Sequence, residues 1–240
     1  MDNILIIGQQ RTGSNLLSYA LSFFENYRNI NEFYSVDDFN FVYKLFFTEE
    51  ERNYLFDVYN TKNWQVLLQS IHQKPIEALR ILDSFVKENK VIKLLDHQFK
   101  KNVELYSLIE SFDKFIITER SNTLEQYVSL QIADKTNIWW DKSTDDFQIE
   151  LDIDEYKSFC ESKKRYYEDI KLKLKGKNYI VINYENDLSN GITDTLLTNL
   201  QLFLHKNPKV VLKDKNRIKK QNTVDVISKI TNFEEIKKFL

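Results

Sequence analysis

The chain has 240 residues, 42% of them hydrophobic, which is enough to bury the core of one sizeable α/β domain. A formal net charge of -2 excludes a globally basic nucleic-acid binder. The lone Cys160 rules out an intramolecular disulfide, and no cysteine–histidine cluster has metal-ligand spacing, so no metal is expected.

The first element is the apolar run Ile4 to Ile7, of the kind a central parallel strand needs. It leads through Gly8-Gln9-Gln10-Arg11-Thr12-Gly13 into Leu16, Leu17 and Ala20 at helical spacing, with Ser14 or Asn15 as the expected N-cap. Backbone N–H groups at such a helix start converge on one spot and carry the positive end of the dipole, which suits a phosphate or sulfate. The glycines match the nucleotide-binding pattern GxxxxGK followed by Ser or Thr. Here Ser14 stands in place of the lysine and Asn15 in place of the magnesium-holding hydroxyl, so triphosphate chemistry is disfavoured.

Further strands are expected at Asn29 to Glu32, Val91 to Leu95, Phe115 to Thr118 and Tyr179 to Asn183. Helical patterns separate them: Glu49 to Val58, Pro75 to Lys87, Asn122 to Ala133, Asp154 to Leu174 and Thr193 to Leu204. Strands alternating with helices imply a parallel sheet with helices on both faces. With only four glycines, two prolines and no repeat, residues 1–240 read as one domain. The chain enters its first strand within three residues and has no apolar run of membrane-span length, so a cytoplasmic location without a membrane partner is expected.

The order Arg11-Thr12-Gly13-Ser14 resembles the 5′-phosphosulfate loop of the sulfotransferases that use 3′-phosphoadenosine-5′-phosphosulfate (PAPS). Phe115 to Ala133, again a strand running into a helix, resembles the 3′-phosphate segment of the bacterial carbohydrate type, with Ser129 on the helix serine and Asn122, Leu124, Gln126, Tyr127 and Val128 in the surrounding pattern. The arginine of that pattern falls on Ser121, one residue after Arg120. Either a bulge aims Arg120 into the site or Ser121 takes the place and the charge comes from elsewhere. Ile180 to Leu188, containing Tyr184-Glu-Asn-Asp-Leu188, resembles the YEDL-type turn, and Lys220-Gln221-Asn222 with Ile230 to Glu235 resembles the C-terminal KQN segment.

The resemblance implies a P-loop-like α/β fold and a PAPS site formed by Gln10, Arg11, Thr12, Gly13, Ser14, Asn15, Arg120, Ser121, Ser129, Tyr184 and Lys219 to Asn222, that is Lys219, Lys220, Gln221 and Asn222. The basic stretch Lys206 to Lys220 would close over the nucleotide's phosphates. It implies sulfuryl transfer to a hydroxyl of a carbohydrate or other small acceptor, by in-line displacement without a metal. Glu32, at the end of the second strand, matches the family's strand-end base. His97 is the rival base, and Lys93 is placed to face the sulfuryl group. Phe33, Tyr34 and Trp139 are expected to stack on an acceptor ring, and Asp141 to Glu155 to form a mobile acidic flap. The alternatives are a nucleotide kinase-like phosphotransferase and a non-catalytic nucleotide-binding protein.

Overall fold

Strands whose side chains are apolar on both faces must be covered on both. In the computed structural model, which describes residues 2–35, 39–139, 143–209 and 225–239, such strands lie at the centre of a five-stranded parallel sheet. Its strands are β1 (Ile4–Gly8), β2 (Tyr27–Asn31), β3 (Asn89–Leu95), β4 (Lys114–Glu119) and β5 (Asn178–Asn183), in the spatial order β2-β3-β1-β4-β5. Ile4, Leu5, Ile6 and Ile7 of β1 are fully buried, each contributing about 1.5–3 kcal/mol of hydrophobic stabilisation.

The period-two alternation of the strands divides the core. Ile4, Ile6, Val91, Ile116 and Ile182 pack under α1 (Ser14–Leu21) and α9 (Asp194–Leu204). Leu5, Ile7, Ile92, Leu94, Phe115 and Ile117 face the other way. There they meet α3 (Glu49–Val58), α4 (Trp64–Gln73), α5 (Pro75–Phe85), α8 (Ile153–Lys173) and the 3-10 segment Val103–Ser111. Helix α2 (Phe39–Phe46) adjoins the same side through Tyr43. A third cluster joins Tyr127, Val128 and Ile132 of α7 (Thr123–Thr136) to Ile149, Leu151, Ile230 and Ile236, the last in α10 (Phe233–Ile236). The expected doubly covered parallel sheet is therefore present.

Several boundaries differ from the sequence reading, each for a local reason. Helix α1 is capped by Gly13 at φ 79 rather than by Ser14 or Asn15, because the turn requires a left-handed residue there. Strand β2 stops at Asn31, itself left-handed at φ 56, after a register shift between Asn29 and Asn31. Glu32 thus follows the strand rather than closing it. Strand β3 lies between β2 and β1, so β2 is not the neighbour of the glycine-bounded loop. The chain turns into α6 (Asp96–Lys101) directly after β3, which carries His97 and Gln98 on a helix.

The expected acidic flap is, in its described part, a packed segment. Ile149 and Leu151 are buried, Ile149 bridges to Ile230, and Asn232 Nδ2 donates to the Leu151 carbonyl at 3.0 Å. The apolar residues interleaved among the acids decide the matter, since they complete the third cluster.

The chain moves from β1 to one side of the sheet through β2 and β3, then to the other through β4 and β5, so direction reverses at the carboxyl end of β1. Gly8 pairs there with Leu95 on one side and Thr118 on the other. A Cβ at Gly8 would stand 2.1 Å from Thr118 Oγ1 and 2.9 Å from its carbonyl oxygen. Gly8→Ala is expected to cost about 3 kcal/mol or more in urea unfolding. Adding Thr118→Ala should recover part of this loss and not all, because the backbone oxygen remains; full stability of the single variant would show that the strands separate readily at this point.

Candidate active site

The loop after β1 is held from three directions. Thr12 is fully buried; its Oγ1 donates to the Gln9 carbonyl at 2.8 Å and shares a 2.8 Å hydrogen bond with Thr118 Oγ1. Its hydroxyl therefore ties the loop to β4 and faces away from any ligand above the loop. From α8, Tyr166 donates to the Gly8 carbonyl at 3.1 Å and Tyr167 to the Thr118 carbonyl at 2.7 Å, so the strand-end acceptors are satisfied. Burial pushes both phenols up and keeps them protonated donors. Gln126 of α7 donates to the Gln10 carbonyl at 2.9 Å.

Arg11 sits at φ 65, a left-handed conformation that a non-glycine residue adopts at a cost of about 1–3 kcal/mol. The guanidinium is turned inward. Its Nε donates to Ser129 Oγ and its Nη1 to the Trp139 carbonyl, both at 2.8 Å, so Arg11 and Ser129 meet directly. Both acceptors are neutral oxygens. Burial, and secondly repulsion from Arg120, lower the Arg11 pKa to about 10, against a smaller pull from Tyr184. The group is still a cation at neutral pH, but one whose charge the surroundings disfavour. Gly13, next in the loop at φ 79, is a glycine for a second reason: a Cβ would lie 2.9 Å from both Tyr184 Cδ2 and Leu188 Cδ1.

Arg120 is 7% exposed and its guanidinium meets two carboxylates, a backbone carbonyl and an aromatic ring. Its Nη2 is 2.5 Å from Glu125 Oε2, its Nε 3.3 Å from Glu185 Oε1, and its Nη1 donates to the Arg11 carbonyl at 3.3 Å. The guanidinium lies 4.4 Å from the Tyr184 ring centroid, a cation–π contact. Glu185 also accepts from the backbone N–H groups of Ser121 at 2.7 Å and Asn122 at 3.2 Å, while Ser121 Oγ accepts from Asn183 Nδ2 at 2.6 Å. Tyr184 and Glu185 belong to a single π-helical turn, Tyr184–Leu188. Beside it a cavity of about 250 Å³ opens between the end of β4 and α8, lined by Arg120, Ser121, Lys163, Lys164 and Lys171 among others.

On the β3 side, the fully buried Lys93 lies between two acceptors. Its Nζ is 2.8 Å from Glu32 Oε1 and also donates to Asn15 Oδ1. Asn15 is the second residue of α1, so Lys93 connects Glu32 to the loop across the strand that separates them. The other carboxylate oxygen, Oε2, accepts from Gln98 Nε2 at 3.0 Å, and Gln98 Oε1 accepts from the Leu95 N–H at 2.9 Å. Because a backbone N–H can only donate, the Gln98 amide is oriented with its NH₂ toward Glu32. His97, one residue earlier, is near Asp134 of α7, whose pKa is raised by burial and drawn down by the imidazole.

The site thus brings together Arg11 with Ser129, Arg120 with Tyr184, and Asn15, Lys93 and Glu32. Ser14 is buried at the start of α1. Phe33 and Tyr34 are fully buried in the core, and Tyr34 donates to the Pro75 carbonyl at 2.9 Å, so neither can stack on an acceptor; Trp139, half-buried beside Arg11, is still placed to do so. Lys219, Lys220, Gln221 and Asn222 lie outside the described residues. Gln98 and Glu185 are site residues that the sequence reading did not single out. Their signals were present: a glutamine at the third position of a helix, and a carboxylate inside the YEDL-type turn.

Three comparisons bear on this arrangement. No protein-family model matches the sequence, and no curated protein matches it. Among solved structures, the sulfotransferase domain from the curacin biosynthetic pathway is similar over 98% of this chain and 86% of its own, with a TM-score of 0.50 and 13% identity. At that identity the likeness establishes the fold: the chain has the α/β architecture of a sulfotransferase domain.

Breaking the buried ion pair from its cationic side strands a carboxylate that is only 19% exposed. Lys93→Met is expected to cost about 3–5 kcal/mol in denaturant unfolding. The double variant with Glu32→Gln should be more stable than Lys93→Met alone, since the unpaired charge is then gone. A Lys93→Met loss below about 1 kcal/mol would mean that the pair is solvated as a surface pair would be.

Proposed function

We propose that this protein transfers a sulfuryl group from a nucleotide 5′-phosphosulfate of the PAPS type to a hydroxyl of a carbohydrate or other small acceptor. The observation that carries this reading is Arg11, a part-buried guanidinium at a glycine-bounded helix head, directed by its bonds to Ser129 Oγ and the Trp139 carbonyl toward the start of α1 and α7. An oxyanion bound there would pair with its charge. The first N–H groups of α1 and the helix dipole would bind the same anion. The sulfotransferase fold supports the reading by analogy.

In the proposed reaction the acceptor oxygen attacks sulfur in line, and the new S–O bond forms as the bond to the phosphate oxygen breaks. The hydroxyl proton passes to Glu32, whose carboxylate is held by Lys93 and Gln98. Lys93, also bonded to Asn15, holds the base at a fixed distance from the loop. A kinase-like reading is disfavoured by Asn15: its side chain accepts from Lys93, where a metal-bound triphosphate would need a hydroxyl ligand.

Calorimetry distinguishes the two readings. Adenosine 3′,5′-bisphosphate is expected to bind without magnesium and more tightly than ATP. Arg11→Ala should abolish that binding and Arg11→Lys restore only part, because an ammonium cannot form two parallel bonds to one oxyanion. Tighter, magnesium-dependent ATP binding would transfer the assignment to a phosphotransferase.

The base assignment has its own test. Glu32→Gln should lower turnover by roughly two to four orders of magnitude with little change in nucleotide affinity, the effect of removing a general base. His97→Asn should cost less, since His97 lies on α6 within electrostatic range of Asp134, whereas Glu32 is joined through Lys93 to the loop. Normal turnover in Glu32→Gln together with a dead His97→Asn would reverse the two roles.

A further inference from the structure

A sheet that does not close leaves two edge strands, and each offers unpaired backbone groups to a further strand. Here the edges are β2 and β5, and they are built differently. Strand β2 carries the charged Arg28, loses register against β3 between Asn29 and Asn31, and ends on a left-handed asparagine. A charge, a bulge and a short length are devices that prevent edge-to-edge pairing. Strand β5 has no charge, no proline and no bulge: Asn-Tyr-Ile-Val-Ile-Asn pairs with β4 in unbroken register from Asn178 to Asn183. Of Tyr179, Ile180, Val181 and Ile182 only the last is buried, and Val181 is 40% exposed. Among the described residues, no backbone group of these four bonds to anything beyond the β4 ladder. Leu172 of α8 and Leu202 of α9, the helices before and after β5 in the chain, are exposed as well.

The charges on either side of the strand indicate which partner fits this edge. Lys175 and Lys177 precede β5, and Glu185 and Asp187 follow it. A second copy of the strand, antiparallel and related by a two-fold axis through Val181, brings the lysine end of each copy against the acidic end of the other. Counted from the axis, Ile180 meets Ile182, Lys177 stands opposite Glu185 and Lys175 opposite Asp187. A parallel copy in register would set lysine against lysine and acid against acid. Lys177 and Glu185 already have partners within the chain, whereas Lys175 and Asp187 have no ion pair among the described residues, so these two are the charges that the contact would satisfy. We propose that the protein forms a two-fold dimer through β5, its two sheets joined into one, with each β5 antiparallel to its copy. The turn Tyr184–Leu188, which closes against Gly13 of the loop, then lies at the seam.

Sedimentation equilibrium of the full chain tests the dimer without reference to any activity. A reversible dimer is expected at protein concentrations up to about 100 μM. Val181→Lys sets two like charges against each other on the axis and is expected to raise the dissociation constant about a hundredfold or more. Lys175→Glu, whose repulsion is felt twice in a two-fold contact, should raise it about tenfold. The register has its own test. Directly opposed Cα atoms of antiparallel strands lie about 4.5–5.5 Å apart, a span that a disulfide bridges, so Val181→Cys in a Cys160→Ser background should crosslink on mild oxidation and Asn178→Cys should not. A wild-type chain that stays monomeric, an open-ended series of oligomers, or an unchanged dissociation constant in either charge variant would overturn the proposal. Should Val181→Lys not fold, the crosslink decides, and its absence in Val181→Cys overturns the proposal equally.

Discussion

The closeness of β1 to β4 at Gly8 sets the geometry of everything above the sheet. With Thr118 Oγ1 in the space a Cβ would fill, the strand end can sit against its neighbour only as glycine. The same threonine hydroxyl then receives Thr12 across the gap. That bond pins the middle of the loop downward, so the residues on either side of Thr12, Arg11 and Gly13, both take left-handed conformations. The strain at Arg11 is a consequence of this path. It is sustained because Thr12, Gln126 and the two α8 tyrosines determine the loop from outside it.

Buried cations recur around this frame, and each is balanced differently. Lys90 and Lys93 are three residues apart on β3, hence on opposite faces, and both are essentially unexposed. Lys90 pairs with Asp83 of α5 at 2.7 Å, a connection between helix and sheet remote from the loop. Lys93 pairs with Glu32 and bonds Asn15, within the proposed chemistry. Arg120 is neutralised by two carboxylates. Arg11, part-buried, donates through Nε to the Ser129 hydroxyl and through Nη1 to the Trp139 carbonyl. A buried ion is tolerated when a counter-charge or strong acceptors offset its desolvation.

The fold was legible because β1 and β4 are unbroken apolar runs and the loop glycines are conspicuous. Long-range partners were not. Whether Arg120 or Ser121 faces a phosphate depends on where Glu185 lies, and that residue is 65 positions away in sequence. A strand-end position for Glu32 says nothing of its distance from the loop: strand order puts β3 between the two, and the Lys93 side chain makes the connection. Phe33 and Tyr34 read as ligand-facing from their place beside Glu32, yet the left-handed turn at Asn31 sends them into the core. Local periodicity predicts which face of an element is apolar; it does not predict the path of the chain after a single left-handed residue.

Two halves of the site follow from this topology. On the β3 side, Glu32, Lys93, Gln98 and Asn15 form one chain of hydrogen bonds that ends at the second residue of α1. On the β4 side, Ser129, Arg11, Arg120, Glu185 and Tyr184 form another. The loop belongs to both, since Asn15 lies in the first network and Arg11 in the second, four residues apart. Any movement of Arg11 on taking up an anion would therefore strain the contact to Ser129 on one side and the start of α1 on the other. In the proposed reaction, donor binding and the position of the base would in this way be mechanically connected, through Gly13, whose lack of a side chain lets Tyr184 and Leu188 close against the loop.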